Sequence, residues 1–422
     1  MTTITPMRSF GTKTIFILLL AVISWSNSVQ AQFSRSKNKS SNEYRNGYQR
    51  MAAGSNFNFE IRGGELWAWG NNGTGKLGDG TTTNRLSPVK IGTDNDWVSV
   101  SCGELHSVAL KANGTIWTWG YNNDGQLGNG TSSFTLRLSP GQVGSATDWV
   151  SISAGGYHTT AIKANGTLWV WGQGGNGQLG DGGSGANYHI NTPFQIGTGT
   201  DWVILSAGYA HTLAIKANGS LWGWGYNAYG MVGDNSGIFT ITTPSQVGSD
   251  VDWVSISAGQ NQSHGIKSNG TLWGWGYNGN GQLGDGSTTQ RNSPTRVGTL
   301  SNWVSVTSGY KDALGVQANG ELWGWGYNNY GQLGDGTTAQ RTSPVLLGTG
   351  YVNVCAGSYS YHSIALKANG TLWACGWNQA GQLGDGTTAD QINRIQVSAT
   401  TNWLSVAGGY YYTHAIKSNG TL

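Results

Sequence analysis

The stretch Leu272-Trp-Gly-Trp-Gly-Tyr-Asn-Gly-Asn-Gly-Gln-Leu-Gly-Asp-Gly286 is one of seven near-copies in this 422-residue chain. Its opening Leu-Trp or Ile-Trp pair recurs at Trp67, Trp117, Trp169, Trp222, Trp273, Trp323 and Trp373, with spacings of 50, 52, 53, 51, 50 and 50. A period of that length marks one supersecondary unit repeated seven times. Length alone would have suggested two or three domains.

Working outward from the motif within one copy, residues 97–147, gives the unit. Trp97-Val-Ser-Val-Ser101 alternates apolar and polar, as a half-buried strand does. Cys102-Gly103 breaks it, and His106 to Lys111 alternates again. Asn113-Gly114 suits a two-residue hairpin turn, whose positions require positive φ. Ile116-Trp-Thr-Trp119 is a third strand, and a short run around Gln142-Val143 is a fourth. Four short antiparallel strands in about fifty residues bury both faces only by stacking radially. No 3.6-residue period occurs in the body. The composition fits this reading: 69 Gly serve the turns, and 19 of the 21 Trp fall on the repeat's strand positions. Repetition in register marks these Trp as core.

Two stretches carry a resemblance, Leu205-Ser-Ala-Gly-Tyr-Ala-His-Thr-Leu-Ala-Ile215 and the Leu272–Gly286 motif. They resemble the regulator of chromosome condensation repeat family, over about residues 51–422. The resemblance implies an all-β, seven-bladed β-propeller. It leaves function open, because that family includes a nuclear guanine-nucleotide exchange factor on chromatin and secreted propellers such as a bacterial β-lactamase inhibitor.

Ring closure has two readings. Residues 66–91 could complete the sheet begun by 403–420, which gives a closed seven-bladed ring and is the preferred expectation. However, Ala53 to Arg62 looks like a degenerate extra first module, which would suit a truncated eight-bladed or longer array.

The N-terminus reads as an export signal over residues 1–31. Arg8 and Lys13 precede an apolar run from Ile15 to Ile23, and Val29-Gln30-Ala31 offers a cleavage site. Residues 32–50 read as a basic flexible linker, and 51–422 as the propeller. The formal charge of +3 divides into +2 for the leader, +4 for the linker and −3 for the body. The body therefore lacks the basic surface a nucleic-acid backbone requires. Three cysteines are too few for a disulfide framework. The expected location is secreted or extracytoplasmic, with no stable membrane insertion after cleavage.

Repeated polar positions suggest chemistry but suit structural roles better. His106, His158, His211, Gln262, Asp312, His362 and Tyr412 occupy one repeat position, and a metal shell would not accept Gln or Tyr there. Bonding to neighbouring backbone is expected instead. Asp79, Asp181, Asp234, Asp285, Asp335 and Asp385 recur one per copy, with Asn129 in the remaining copy, as Asx-turn caps would. Gly70 to Lys76 imitates part of a phosphate-binding loop, but Leu77 stands where Ser or Thr must hold magnesium. Asn113, Asn165, Asn218, Asn269 and Asn369 match a glycosylation pattern that the hairpin turn also explains. Cys102, Cys355 and Cys375 read as buried packing. No catalytic, metal or cofactor site is expected.

Differences between copies point to function. The loop before the second strand reads Gly357-Ser-Tyr-Ser-Tyr361 and Gly408-Gly-Tyr-Tyr-Tyr412, and lengthens in these last two copies. Strand parity places it on the same face as the Gly-Gln-Leu-Gly-Asp-Gly loops. The expected partner-binding residues are Tyr359, Tyr361, Tyr410 and Tyr411, with Tyr229 and Tyr330 from the second loops. Tyrosines bury large area at low entropic cost. The expected function is a secreted, non-enzymatic propeller that binds a protein. The alternatives are guanine-nucleotide exchange on a small GTPase, which the resemblance invites, and glycan binding.

Overall fold

The computed structural model describes residues 51–54, 56–356, 361–409 and 412–417. Residues 1–31 and 32–50, expected to be an export signal and a linker, lie outside the described residues. Those described form strands and loops with no helix. Seven four-stranded antiparallel sheets follow one another in chain order, each with its strands in sequence order. The second blade is typical, with strands Trp97–Cys102, His106–Lys111, Ile116–Asn122 and Ser133–Gln142. The first strands touch those of the blades on either side and so line the axis of a seven-bladed β-propeller.

Ring closure departs from the preferred expectation. The third strand of the first blade, Glu65–Gly70, pairs with Phe57–Arg62 on one side and with the fourth, Arg85–Lys90, on the other, and neither pairs with Trp403–Gly408 or Thr413–Lys417. The degenerate module is a true strand pair, in which Phe57, Phe59 and Ile61 are buried. Gly63-Gly64 joins it to Glu65–Gly70 in a two-residue turn with φ of 55° and 89°. A tight local hairpin closes at far less entropic cost than a pairing across the whole chain. Trp403–Gly408 and Thr413–Lys417 form a separate two-stranded sheet between the seventh blade and the first. Tyr412 ties it to the first blade, its hydroxyl donating to the Gly54 and Phe57 carbonyls at 2.7 and 2.8 Å.

The two Trp of the third strand do different work. Trp117, half-buried, packs edge-on against Trp97 of its own blade, with ring centroids 5.9 Å apart. Lys111 closes over both rings at 4.6 and 4.8 Å. Such a cation over an indole contributes about 0.5–1 kcal/mol at an exposed site. Trp119, two residues further on the same face, also packs on Trp97 at 6.3 Å but is fully buried, and its Nε1 donates to the Lys76 carbonyl of the preceding blade at 2.9 Å. Trp171, Trp224, Trp275 and Trp325 repeat that bond at 2.9–3.0 Å. Each such ring removes roughly 150–250 Å² from water, so the inter-blade seams are dry and aromatic.

The loops reinforce the seams. Gly80, Gly130, Gly182, Asn235, Gly286 and Gly336 each donate a backbone N–H to the fourth strand of the next blade, at 2.8–3.0 Å. Nearer the axis, Ser101, Ser153, Ser206 and Ser257 accept from the backbone N–H of the next blade's first strand at 3.0–3.1 Å.

The seventh blade breaks the pattern at two linked positions. Cys375 replaces the inter-blade Trp, and Arg394 replaces a proline found at that place in the other six blades (Pro88, Pro140, Pro193, Pro244, Pro294 and Pro344). Cys375 Sγ donates to the Gln332 carbonyl, as the indoles do elsewhere. Arg394, only 9% exposed, reaches into the seam and donates to the Leu333 carbonyl at 3.2 Å and to Ser363 Oγ at 3.0 Å. Together the two small changes fill the space of one indole. Cys355 also does more than pack, accepting from the Gly408 N–H as Ser101, Ser153, Ser206 and Ser257 accept at the same position in other blades.

Candidate functional site

The repeated polar positions are structural. His106, His158 and His211 each meet a Thr or Ser hydroxyl of the next blade at 3.0 Å, and His362 meets Thr413 at 2.8 Å. The partners are side-chain hydroxyls, whereas backbone was expected. Gln262 does reach backbone, donating to the Gly309 carbonyl at 2.7 Å. Burial holds these imidazoles neutral, lowering His106 and His211 to about 3 and His158 and His362 to about 4. Asp312 sits at the same position, and burial pushes its carboxyl up to about 7. Among the described residues no three His, Cys, Asp or Glu come together as metal ligands.

The carboxylates serve as caps. Asp79 Oδ1 accepts from the N–H and hydroxyl of Thr81 at 3.0 and 2.8 Å, and from Asn72 at 2.9 Å. Burial opposes its ionisation, but the bonds from Thr81 and Arg85 outweigh that and hold the carboxyl below its ordinary value. Asn129 makes the same bonds to Thr131. The Asn-Gly-Thr turns are relays. Asn165 Oδ1 accepts from the Thr167 hydroxyl at 2.7 Å, and Thr167 accepts from Trp169 Nε1 at 2.9 Å. The other four such turns repeat this pattern.

With these positions accounted for, the loops at one end of the blades remain. The residue after each Trp-x-Trp-Gly strand donates its N–H to the loop before the second strand. Tyr226 bonds Ala210, Tyr277 bonds Asn261, Tyr327 bonds Lys311 and Trp377 bonds Tyr361, at 2.8–2.9 Å. This crosslink holds both loops of a blade on one face, as strand parity requires.

Aromatic rings gather there. Tyr330 and Tyr361 lie 5.0 Å apart between centroids. Tyr327 and Tyr310 stand 5.8 and 5.9 Å from Tyr361, so four rings from the sixth and seventh blades meet. Lys311 lies over Tyr310 at 5.0 Å and over Tyr327 at 5.8 Å. Further along, Tyr229 packs on Tyr277 at 5.2 Å and on Tyr226 at 6.4 Å. Tyr157 and Tyr209 form a third group at 6.0 Å. Tyr209 and Tyr229 are 36% and 37% exposed. A cleft of about 330 Å³, lined by Asn176, Tyr209, Tyr226, Gln260 and Asn261 among others, separates the second group from the third.

Of the six tyrosines expected from sequence, Tyr330 and Tyr361 come together and Tyr229 joins a neighbouring group. Tyr359, Tyr410 and Tyr411 lie outside the described residues. One premise is corrected: the last copy's loop has ordinary length. Its flanking pair Gly408–Thr413 is spaced like Ser308–Ala313, whereas Ala356–Ser363 is two residues longer. Reading Gly408 as the loop glycine misaligned that copy, since Gly409 holds the position. Tyr226, Tyr277, Tyr310 and Tyr327 were missed. Three of them directly follow the Trp-x-Trp-Gly strand, so an aromatic at that fixed offset was the available signal.

Comparison with known proteins agrees with this architecture. The RCC1-like domain model matches residues 92–415, and the regulator of chromosome condensation (RCC1) repeat model matches residues 63–110. The ultraviolet-B receptor UVR8 of Arabidopsis thaliana is 30% identical over 237 residues, which are 54% of this chain and 52% of the receptor. The mitochondrial RCC1 domain-containing protein RUG3 of the same plant is 33% identical over 236 residues, 53% of this chain and 52% of RUG3. The chain thus spans about half the length of these relatives. Among solved structures, human WBSCR16 superposes with a TM-score of 0.69 at 21% identity, over 84% of this chain and all of that one. Prp20p of Saccharomyces cerevisiae gives 0.66 at 20%, over 87% of this chain and 91% of that one. These similarities, with the fold and its repeated seams, make the chain a member of the RCC1-like domain family.

Proposed function

We propose that this chain is a non-enzymatic binding scaffold, exported from the cytoplasm, that holds a protein partner on its tyrosine-bearing face. The observation that carries the reading is the meeting of Tyr310, Tyr327, Tyr330 and Tyr361 at adjacent blades of one face. Clustered tyrosines with a cation at their edge supply large, stiff contact area, which is how protein interfaces concentrate binding energy. The polar positions repeated in every blade are already engaged in seams and turns, so the loops are where a partner gains specificity. Family precedent points the same way: yeast Prp20p is described with binding to Gsp1p and histones, and with Kap60 bound. Export is supported by the residues 1–31 pattern of basic start, apolar run and small-residue cleavage site.

The test is affinity capture from the extracytoplasmic compartment with the wild-type protein and a Tyr229→Ala/Tyr330→Ala/Tyr361→Ala variant. The partner held by the wild type is expected to be lost, with unfolding midpoint unchanged. Undiminished capture by the folded variant would overturn the reading. Acceleration of nucleotide release from a small GTPase would replace it with the exchange-factor alternative.

A further inference from the structure

We infer that the cleft flanked by Tyr209 and Tyr226 binds a neutral β-linked oligosaccharide, stacking a pyranose ring on tyrosine and holding its hydroxyls through amide side chains. This goes beyond the proposed protein partner and stands whether or not one is held by the Tyr310–Tyr361 group. The cleft, about 330 Å³, falls within the size range of small-ligand sites. It spans three blades: Tyr209 and Tyr226 come from the fourth, Asn176 from the third, and Gln260 and Asn261 from the fifth. Each flanking ring is braced edge-on by a second tyrosine, Tyr209 by Tyr157 at 79° and Tyr226 by Tyr229 at 85° between ring planes. A braced ring has little freedom left to lose when a ligand stacks on it.

Two features define the occupant. The first is unused hydrogen-bonding capacity. The amides that belong to the repeat are engaged: Asn227 and Asn278 bridge their loops through Nδ2 and Oδ1, and Gln178 and Gln282 accept backbone N–H groups at Oε1. The side chains of Asn176, Gln260 and Asn261 are half-buried in the cleft, yet they make no hydrogen bond to any described residue. An amide offers two N–H donors and a carbonyl acceptor, which answers a hydroxyl that both donates and accepts. The second feature is charge. The face loops of the third, fourth and fifth blades, residues 155–157, 173–178, 208–210, 226–231, 259–261 and 277–282, contain no Asp, Glu, Lys or Arg. The corresponding loops carry Glu104 and Asp124 in the second blade and Lys311 in the sixth. His211 also lines the cleft, but it is buried, bonded to Ser263 and neutral. A phosphate, carboxylate or ammonium ligand would thus be desolvated there without a counter-charge. A β-linked gluco-configured sugar is uncharged, carries its hydroxyls around the rim and shows only C–H bonds on its ring faces. Those weakly positive C–H groups suit the negative face of a tyrosine ring. An extended peptide would instead line up its backbone groups along a strand edge, whereas these amides stand on either side of the fourth blade.

The probes are cellohexaose and N-acetylchitohexaose, titrated into the full chain by calorimetry, with an oligogalacturonate of the same length as the charged control. At least one neutral probe is expected to bind, with the oligogalacturonate silent. Added salt should leave the affinity unchanged, because no charge takes part. Gln260→Ala/Asn261→Ala should weaken binding at least tenfold with the unfolding midpoint unchanged, since neither side chain holds the fold. Tyr209→Ala should weaken it equally and Tyr209→Phe should retain it, because stacking needs the ring and not the hydroxyl. Should Tyr209→Ala lower the midpoint, Asn176→Ala removes a side chain without partners and reads the same loss. The inference is overturned if both neutral probes are silent at millimolar concentration, if the oligogalacturonate binds as well, or if Gln260→Ala/Asn261→Ala binds like the wild type. Binding of an uncharged proline-rich peptide in place of the sugars would assign the cleft to a protein segment and overturn the saccharide. These variants leave Tyr229, Tyr330 and Tyr361 in place, so the outcome is read separately from partner capture on the same face.

Discussion

Restoring the seventh blade to the repeat, with Cys375→Trp and Arg394→Pro together, should leave stability unchanged or improved, while either change alone should lower it. In the present seam, Cys375 and Arg394 share the volume that one indole fills in five other blades. Cys375→Trp alone drives a large ring into the buried Arg394 side chain, and overpacking of that kind costs about 1–3 kcal/mol. Arg394→Pro alone opens a void beside Cys375 and removes the bonds to the Leu333 carbonyl and Ser363 Oγ. Loss of the two arginine nitrogens that lack partners, Nε and Nη1, offsets part of that, leaving about 1–2 kcal/mol. In the double variant the indole takes the Gln332 carbonyl as its five counterparts take theirs, and proline fits a strand position it holds in six blades. The expected coupling is about 2–3 kcal/mol, the upper end of the range for residues in contact. Urea unfolding of the four proteins, followed by circular dichroism with midpoint and slope compared, measures it. Additive losses, with coupling below about 0.5 kcal/mol, would refute the claim that the pair replaces one Trp.

The buried ring of titratable groups predicts opposed pH effects. His106, His158, His211, His264 and His362 are lowered by burial to about 3–4. The unfolded chain therefore binds more protons below about pH 6.5, and stability should fall as pH drops from there towards 4. Asp312, raised to about 7, acts the other way. The folded state binds the extra proton, so its contribution is present below about pH 4 and is lost as pH rises through 7. Asp312→Asn should match the wild type at pH 4 and exceed its unfolding midpoint at pH 8; a gap independent of pH would contradict this. In the turn relays, Thr167→Val removes the acceptor for Trp169 Nε1 and the donor to Asn165. A loss of about 1–2 kcal/mol is expected, with Thr167→Ser near wild type because Ser220 fills the same role natively; chemical denaturation compares the three.

The blade was readable because its causes are local. Alternation in Trp97–Ser101, the turn at Asn113-Gly114 and the spacing of Trp117 from Trp119 each act within a few residues, so they show in one copy and again in the next, although in that turn Gly114 alone takes positive φ and not both residues as expected. Aspartate capping was readable for the same reason, since Asp79 and Thr81 are neighbours in the chain. The tyrosine site was legible only in part. Tyr330 and Tyr361 belong to different blades, and their contact depends on how adjacent sheets are set side by side. The offset of Tyr327 from its strand was visible, but its meaning waited on a neighbour from another repeat.

The amino-acid pattern alone determined that the chain is a ring of four-stranded blades with Trp seams, because burial periodicity and turn chemistry are properties of short segments. Tertiary structure alone decided how the ring closes, which hydroxyl each histidine meets, and that Arg394 stands in for part of a missing indole. Those outcomes are competitions between segments far apart in the chain. The nearby Gly63-Gly64 hairpin wins over a distant strand, and volume lost at Cys375 is recovered at Arg394 only because the seam must be filled.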